Sequence, residues 1–74
     1  SVTRELETVL QRWVDAQSSD NYISLVDAVE KCLLTHLLEK HEGRVTRLAQ
    51  AMKLNRATLR QKLRRLGLCR EEDV

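Results

Sequence analysis

Residues 44–68 have the sequence RVTRLAQAMKLNRATLRQKLRRLGL, and this stretch decides the fold. Apolar residues recur in it at intervals of three and four, first over 45–52 and again over 56–66, which is the spacing of one face of an α-helix. Residues 53–55 between the two segments predict a tight turn, and the Asn55 side chain is well suited to cap the second helix. The sequence therefore predicts two short helices joined as a helix-turn-helix.

Two longer helices are predicted before this unit. Residues 3–16 carry a single apolar stripe, whereas residues 22–41 carry apolar side chains over more than one face of the helix. Gly43 favours the end of the second helix, because glycine readily takes the left-handed conformation at a helix C-terminus. A helix with two apolar faces buries one inside its own domain and the other against a second chain. The sequence thus predicts an all-α fold of four helices and a dimer.

Length and composition agree with one small helical domain. The 74 residues include no Pro, no Phe and two Gly, which favours helices over strands. We expect residues 1–43 to dimerise, 44–68 to form the helix-turn-helix and 69–74 to form an acidic tail. No apolar run approaches the roughly 18 residues that span a bilayer, and no secretory leader is recognised. Cys32 and Cys69 are expected to be reduced thiols of a cytoplasmic protein, with Cys32 packed in an apolar stripe.

Charge is distributed very unevenly along the chain, although the net charge is only +2. Residues 1–43 contain eight acidic and four basic side chains, whereas residues 44–70 contain nine basic and no acidic ones. Three acids follow in residues 71–73. A basic segment beside an acidic one is typical of a polyanion-binding part attached to a scaffold. The alternative interpretation is a basic face that is merely solvated.

Helical projection of residues 56–66 separates a leucine face from a polar face. With three leucines facing inward, Ala57, Gln61 and Arg64 lie at the centre of the opposite face. The small Ala57 lets the backbone approach the floor of a groove and offers a methyl group to thymine. Gln61 matches adenine and Arg60 matches guanine, each through paired hydrogen bonds. This pattern predicts a recognition helix that lies in the major groove.

Phosphate contacts are expected at the starts of both short helices, where backbone N–H groups attract anions. Arg44, Thr46 and Arg47 begin the first of them, and their alternative role is ordinary capping and solubility. Lys62 projects nearer to the core, so its side chain would have to extend outward to reach DNA. We therefore assign Lys62 a phosphate contact at most.

Three motifs resemble a known family. They are VEKCLL at 29–34, GRVTR at 43–47 and NRATLRQKL at 55–63. Residues 25–68 look like the carboxyl-terminal domain of the Fis family (factor for inversion stimulation) and the matching domain of NtrC-type bacterial enhancer-binding activators.

The resemblance implies a homodimer in bacterial transcription regulation. Its first two helices would form a four-helix core across two chains, and its two recognition helices would enter successive major grooves of bent double-stranded DNA. An NtrC-type parent would carry an ATPase domain before residue 1. With the matched positions included, the expected DNA contacts are Arg44, Thr46, Arg47, Asn55, Arg56, Ala57, Thr58, Arg60, Gln61, Lys62, Arg64 and Arg65.

Three positions depart from the family pattern. Lys53 stands where the family usually has Gly in the turn, so a left-handed backbone there would cost on the order of 1 kcal/mol. Arg44 stands where Fis-like proteins often carry Asn, and Gln61 stands where Lys is common. We expect the last two to alter sequence preference without changing the fold.

Other classes of function fit the sequence less well. Cys32 and His36 stand four apart on one helix, but a zinc site needs a second well-spaced pair, so we expect no metal and no cofactor. The sequence offers no Gly-rich phosphate loop and no nucleophile–base pair, so we expect no enzyme. The basic helix 56–65 would also suit a partner groove or an anionic membrane, although it lacks an aromatic anchor. The alternative that stays open is a dimerisation or protein-interaction module of a larger regulator, with DNA contact secondary.

Overall fold

The computed structural model describes residues 1–68, which form four α-helices and no strand. The helices are α1 (Val2–Asp15), α2 (Tyr22–Lys40), α3 (Val45–Met52) and α4 (Arg56–Arg65). The predicted all-α fold is confirmed, and each helix end lies within one residue of its predicted position. The expected acidic tail and the expected reduced thiol of Cys69 lie outside the described residues.

Side-chain caps determine where three of the helices begin. The side-chain oxygens of Ser1, Asn21 and Asn55 each accept a hydrogen bond from a backbone N–H in the first turn of the helix that follows, at 3.3, 3.1 and 2.8 Å. A cap of this kind contributes about 1 kcal/mol because it satisfies a donor that the helix leaves unpaired. At the start of α3, Arg44 makes no such side-chain hydrogen bond.

Left-handed residues end α2, α3 and α4. Glu42, Lys53 and Gly67 have φ values of 57°, 58° and 75°. In each case the residue that follows donates its N–H to a carbonyl five positions earlier, at 2.8 or 2.9 Å, which closes a Schellman motif. Gly43 is left-handed as predicted, with φ 73°, but it donates the closing hydrogen bond after α2, and the left-handed residue before it is Glu42.

The core lies where α2, α3 and α4 meet, and it is made almost entirely of leucine. Leu34, Leu48, Leu59 and Leu63 are at most 1% exposed, and Ala49 and Leu66 complete the cluster. Burying one such leucine side chain contributes about 1.5–3 kcal/mol. Since Leu59 and Leu63 of α4 and Leu66 directly after it belong to this cluster, the core determines which face of α4 points outward.

An extended apolar surface lies on α1 and α2 instead. α1 contributes no buried residue, and every exposed large apolar side chain among residues 1–68 belongs to these two helices. The Cα radius of gyration is 14.1 Å, against about 11 Å for a compact chain of this length. We call this region the α1–α2 apolar surface and define it by Leu6, Val9, Leu10, Val26, Val29 and Leu33.

Cys32 differs from its prediction. The expectation that its thiol is packed is wrong for the single chain, in which Cys32 is free and exposed. The reason is geometric, because the face of α2 that packs on the core carries the buried Leu34 together with Leu37 and Leu38. Cys32 instead borders a groove between α1 and α2.

Within residues 1–68, none of the helices combines enough length with enough apolar character to cross a membrane. In the same part of the chain, no group of three or more His, Cys, Asp and Glu side chains is arranged to hold a metal ion. The His36 ring nitrogen Nδ1 lies 3.1 Å from the backbone oxygen of Cys32, so His36 contacts the helix backbone.

Candidate nucleic-acid interface

The face of α4 that was predicted to contact DNA is exposed. Ala57, Gln61 and Arg64 are all exposed, because the leucines on the other side of the helix are buried in the core. Seven of the predicted residues line one open, shallow surface that contains no acidic side chain. We call this surface the α4 outer face and define it by Asn55, Arg56, Ala57, Thr58, Arg60, Gln61 and Arg64.

Asn55 anchors the start of the α4 outer face. Its Oδ1 accepts a hydrogen bond from the backbone N–H of Ala57 at 2.8 Å, which caps α4 as predicted. Because the cap uses the oxygen, the amide N–H donors of Asn55 remain available to a phosphate. The same residue can therefore order the helix and contact a ligand at its N-terminus.

Arg60 lies at the edge of the α4 outer face and is half-buried. Its Nε is the one buried side-chain nitrogen or oxygen of residues 1–68 that has no hydrogen-bond partner. A buried donor left unpaired costs about 1–3 kcal/mol. Residues 1–68 thus supply no acceptor for this N–H.

The predicted residues of α3 form a second exposed group. Arg44, Thr46 and Arg47 are exposed at its N-terminus and do not line the α4 outer face. The first turn has no side-chain cap, so its backbone N–H groups can receive an anion. Arg44 lies 3.7 Å from the Glu42 carboxylate, and both side chains are largely exposed, so this ion pair contributes little stability.

Lys62 and Arg65 lie on the flank of α4 that faces α2, where they meet acidic side chains. Lys62 Nζ donates to Glu30 Oε2 at 3.1 Å. Arg65 donates from Nη1 to Asp27 Oδ1 at 2.7 Å and from Nη2 to Glu30 Oε1 at 3.0 Å. We call these four residues the α2–α4 ion cluster. Its hydrogen bond from Arg65 to Asp27, together with the Asp27 charge, raises the pKa of Arg65, and Glu30 adds to this effect.

Asp27 and Glu30 were not predicted to be partners of the basic helix. The sequence does contain a signal for this pairing, since the two acids are three residues apart on α2 and the two cations are three residues apart on α4. Residues at this spacing share a helix face. The sequence could not show that these two faces meet, because they are separated by more than 30 residues.

The model of the family described as bacterial regulatory protein, Fis family, matches residues 25–66. This range covers more than half of the 74 residues and includes most of α2 with all of α3 and α4. The α4 outer face and the α2–α4 ion cluster both lie within it. No curated protein and no solved structure matches the chain.

Proposed function

From the premise that the chain belongs to the Fis family of bacterial regulatory proteins, a helix-turn-helix DNA-binding family, we propose that it binds double-stranded DNA sequence-specifically as a homodimer. In this proposal α4 is the recognition helix and lies in the major groove, whose width of about 12 Å admits an α-helix. The observation that supports it best is the α4 outer face, which is exposed, basic and free of acidic side chains.

The exposed residues divide into two groups of contacts. We propose that Ala57, Gln61 and Arg60 contact base edges. Ala57 and Gln61 are exposed on the outer face and Arg60 lies at its edge, and they suit thymine, adenine and guanine respectively. We propose that the remaining residues contact phosphates, which sets the orientation and register of the protein on the duplex. They are Arg44, Thr46, Arg47, Asn55, Arg56, Thr58 and Arg64.

The α1–α2 apolar surface supports the homodimer. Leu6 is 61% exposed and Leu33 is 54% exposed, which is a large apolar area for a single small chain to leave in water. In a twofold dimer the same surface of each copy covers that of the other. Two copies of α4 would then reach half-sites about one helical turn of DNA apart.

We assign no catalytic chemistry, metal or cofactor to the chain. Its function in bacterial transcription would place it in the cytoplasm with the DNA. An ATPase domain before residue 1 would fit an NtrC-type parent. The alternative, a dimerisation or protein-interaction module with DNA contact secondary, draws on the same α1–α2 apolar surface, and the DNA measurement below separates the two.

Salt dependence of DNA affinity tests the proposal. If a dimer neutralises about 6–10 phosphates, its affinity for a mixed-sequence duplex should fall roughly 10³- to 10⁵-fold between about 50 and 200 mM salt. Fluorescence anisotropy of a labelled duplex measures this directly. Absence of binding, or a complex that salt leaves unchanged, would reject DNA binding and favour the protein-interaction alternative.

A further inference from the structure

Every charged side chain of the α2–α4 ion cluster is paired with at least one side chain of opposite charge. Each oxygen of the Glu30 carboxylate accepts from a different cation, one from Lys62 and one from Arg65. The second guanidinium nitrogen of Arg65 donates to Asp27 at 2.7 Å. Glu30 is 24% exposed, and Arg65 is 50% exposed. Two positive and two negative charges therefore form one connected group with no net charge.

This pairing divides the basic residues of α4 into two sets. Of its five cations, Lys62 and Arg65 have carboxylate partners on α2. The other three, Arg56, Arg60 and Arg64, line the α4 outer face and have no ion pair within residues 1–68. Charge-assisted hydrogen bonds are the stronger class, so the carboxylates compete with a phosphate for either paired cation. It would also meet the repulsion of Asp27 and Glu30 on that flank.

We propose that Asp27 and Glu30 are positioning residues for DNA binding: they hold Lys62 and Arg65 away from the phosphates and confine the positive charge of α4 to its outer face. This role depends on the DNA binding proposed above. Confinement of the charge determines which side of α4 turns toward the DNA. Because α2 also carries the α1–α2 apolar surface, the cluster links the orientation of the recognition helix to the helix proposed to dimerise.

Adjacent arginines of α4 provide a matched test. Arg64→Gln and Arg65→Gln remove the same charge from neighbouring positions, one on the outer face and one in the cluster. Each phosphate contact contributes about 0.9 to the slope of log K against log salt. A dimer contains two copies of Arg64, so Arg64→Gln should reduce the magnitude of its slope by about 1.8. Arg65→Gln should leave the slope unchanged. Anisotropy titrations on a mixed-sequence duplex of about 30 base pairs, long enough for two successive major grooves, give both values.

Removal of the carboxylate tests the positioning role itself. Glu30→Gln frees Lys62 from its partner, so we expect the salt slope of the dimer to become steeper by about 1.8 as two lysines reach phosphates. Glu39→Gln is the control, because Glu39 is an exposed acid on the same helix with no ion pair within residues 1–68. Its slope should match that of the unmodified protein. Weaker binding at an unchanged slope would assign Glu30 a purely structural role and overturn the proposal.

The outcomes separate this inference from the proposed function. If the unmodified protein binds DNA and Arg64→Gln and Arg65→Gln reduce the slope equally, DNA binding stands and the positioning role is rejected. If the unmodified protein shows no salt-dependent DNA binding, both are rejected. Since Glu30→Gln also weakens a contact between α2 and α4, its fold is checked by thermal unfolding, and the two arginine variants decide the question if it fails to fold.

Discussion

At residue 53 the backbone adopts φ 58° and ψ 39°, a conformation that glycine takes freely and that a residue with a Cβ atom takes at a cost. Gly67 has the same role at the end of α4, with φ 75°. The hydrogen bond that closes the turn, from Leu54 N–H to Ala49 O at 2.9 Å, depends on this conformation. The turn of the helix-turn-helix therefore contains a small local strain, as the sequence predicted for Lys53.

Replacement of Lys53 by glycine should relieve that strain. We expect Lys53→Gly to raise the free energy of unfolding by about 1 kcal/mol, less the extra entropy that glycine adds to the unfolded chain. Urea denaturation followed by circular dichroism measures the change. Lys53→Ala is the control, because it removes the same charge and keeps the Cβ atom. Equal stabilisation by both variants would attribute the effect to charge and contradict the backbone explanation.

At the scale of elements, α3 and α4 are too short to be stable alone. They have 8 and 10 residues, and isolated helices of fewer than about 12–15 residues are marginal in water. Their order comes from Leu48 of α3 and from Leu59 and Leu63 of α4, all fully buried. α4 thus presents its outer face from a fixed support, while α3 presents its basic N-terminus separately. This separation suggests that the two helices make different kinds of contact.

Alanine substitutions on the two helices should accordingly have different effects. Arg60→Ala should relax base preference at one position and cost about 1–3 kcal/mol on the preferred sequence, because it removes a proposed base contact. Arg47→Ala should weaken all sequences to the same extent, because it removes a phosphate contact. Selection from a random duplex pool, followed by affinity measurements on selected and unselected duplexes, tests this. If the two variants lose affinity in the same way on selected and unselected duplexes, the division into base contacts and phosphate contacts is refuted.

At the scale of the whole molecule, the chain is divided between a buried leucine core and an uncovered apolar surface. The core lies among α2, α3 and α4, whereas α1 has no buried residue. The hydrophobic effect favours removal of the α1–α2 apolar surface from water. In the proposed dimer a second copy covers this surface without any change in the helix-turn-helix, so the proposed dimer contact and the proposed DNA contact involve different surfaces of the chain.

A charge placed in that surface should prevent dimerisation. Leu33 is largely exposed in the single chain, so Leu33→Glu should preserve the fold and give a sedimentation mass near the 8.6 kDa of one chain. DNA affinity should fall about 10²- to 10⁴-fold, since two linked half-site contacts become one.

Lys31→Glu is the control for this variant. It also places a carboxylate on α2, but outside the grooves between α1 and α2, so it should remain a dimer of about twice that mass. A monomeric unmodified protein, or a Leu33→Glu variant that is still dimeric, would contradict the proposed interface.

The sequence by itself determined the four helices, the helix-turn-helix and the leucine face of α4. These features depend on periodicity, caps and left-handed ends, which act over a few residues and can be recognised without knowledge of distant contacts. It also identified the residues of the α4 outer face, because burial of one helix side exposes the other.

Only the tertiary structure decided which α2 residues face α4. Asp27 and Arg65 are 38 positions apart, and their pairing depends on how the leucine core sets α4 against α2. The same packing buries Leu34 in the core and leaves Cys32 exposed. Such relations between distant helix faces are fixed by the angle and rotation at which helices pack, and these depend on the whole set of contacting side chains.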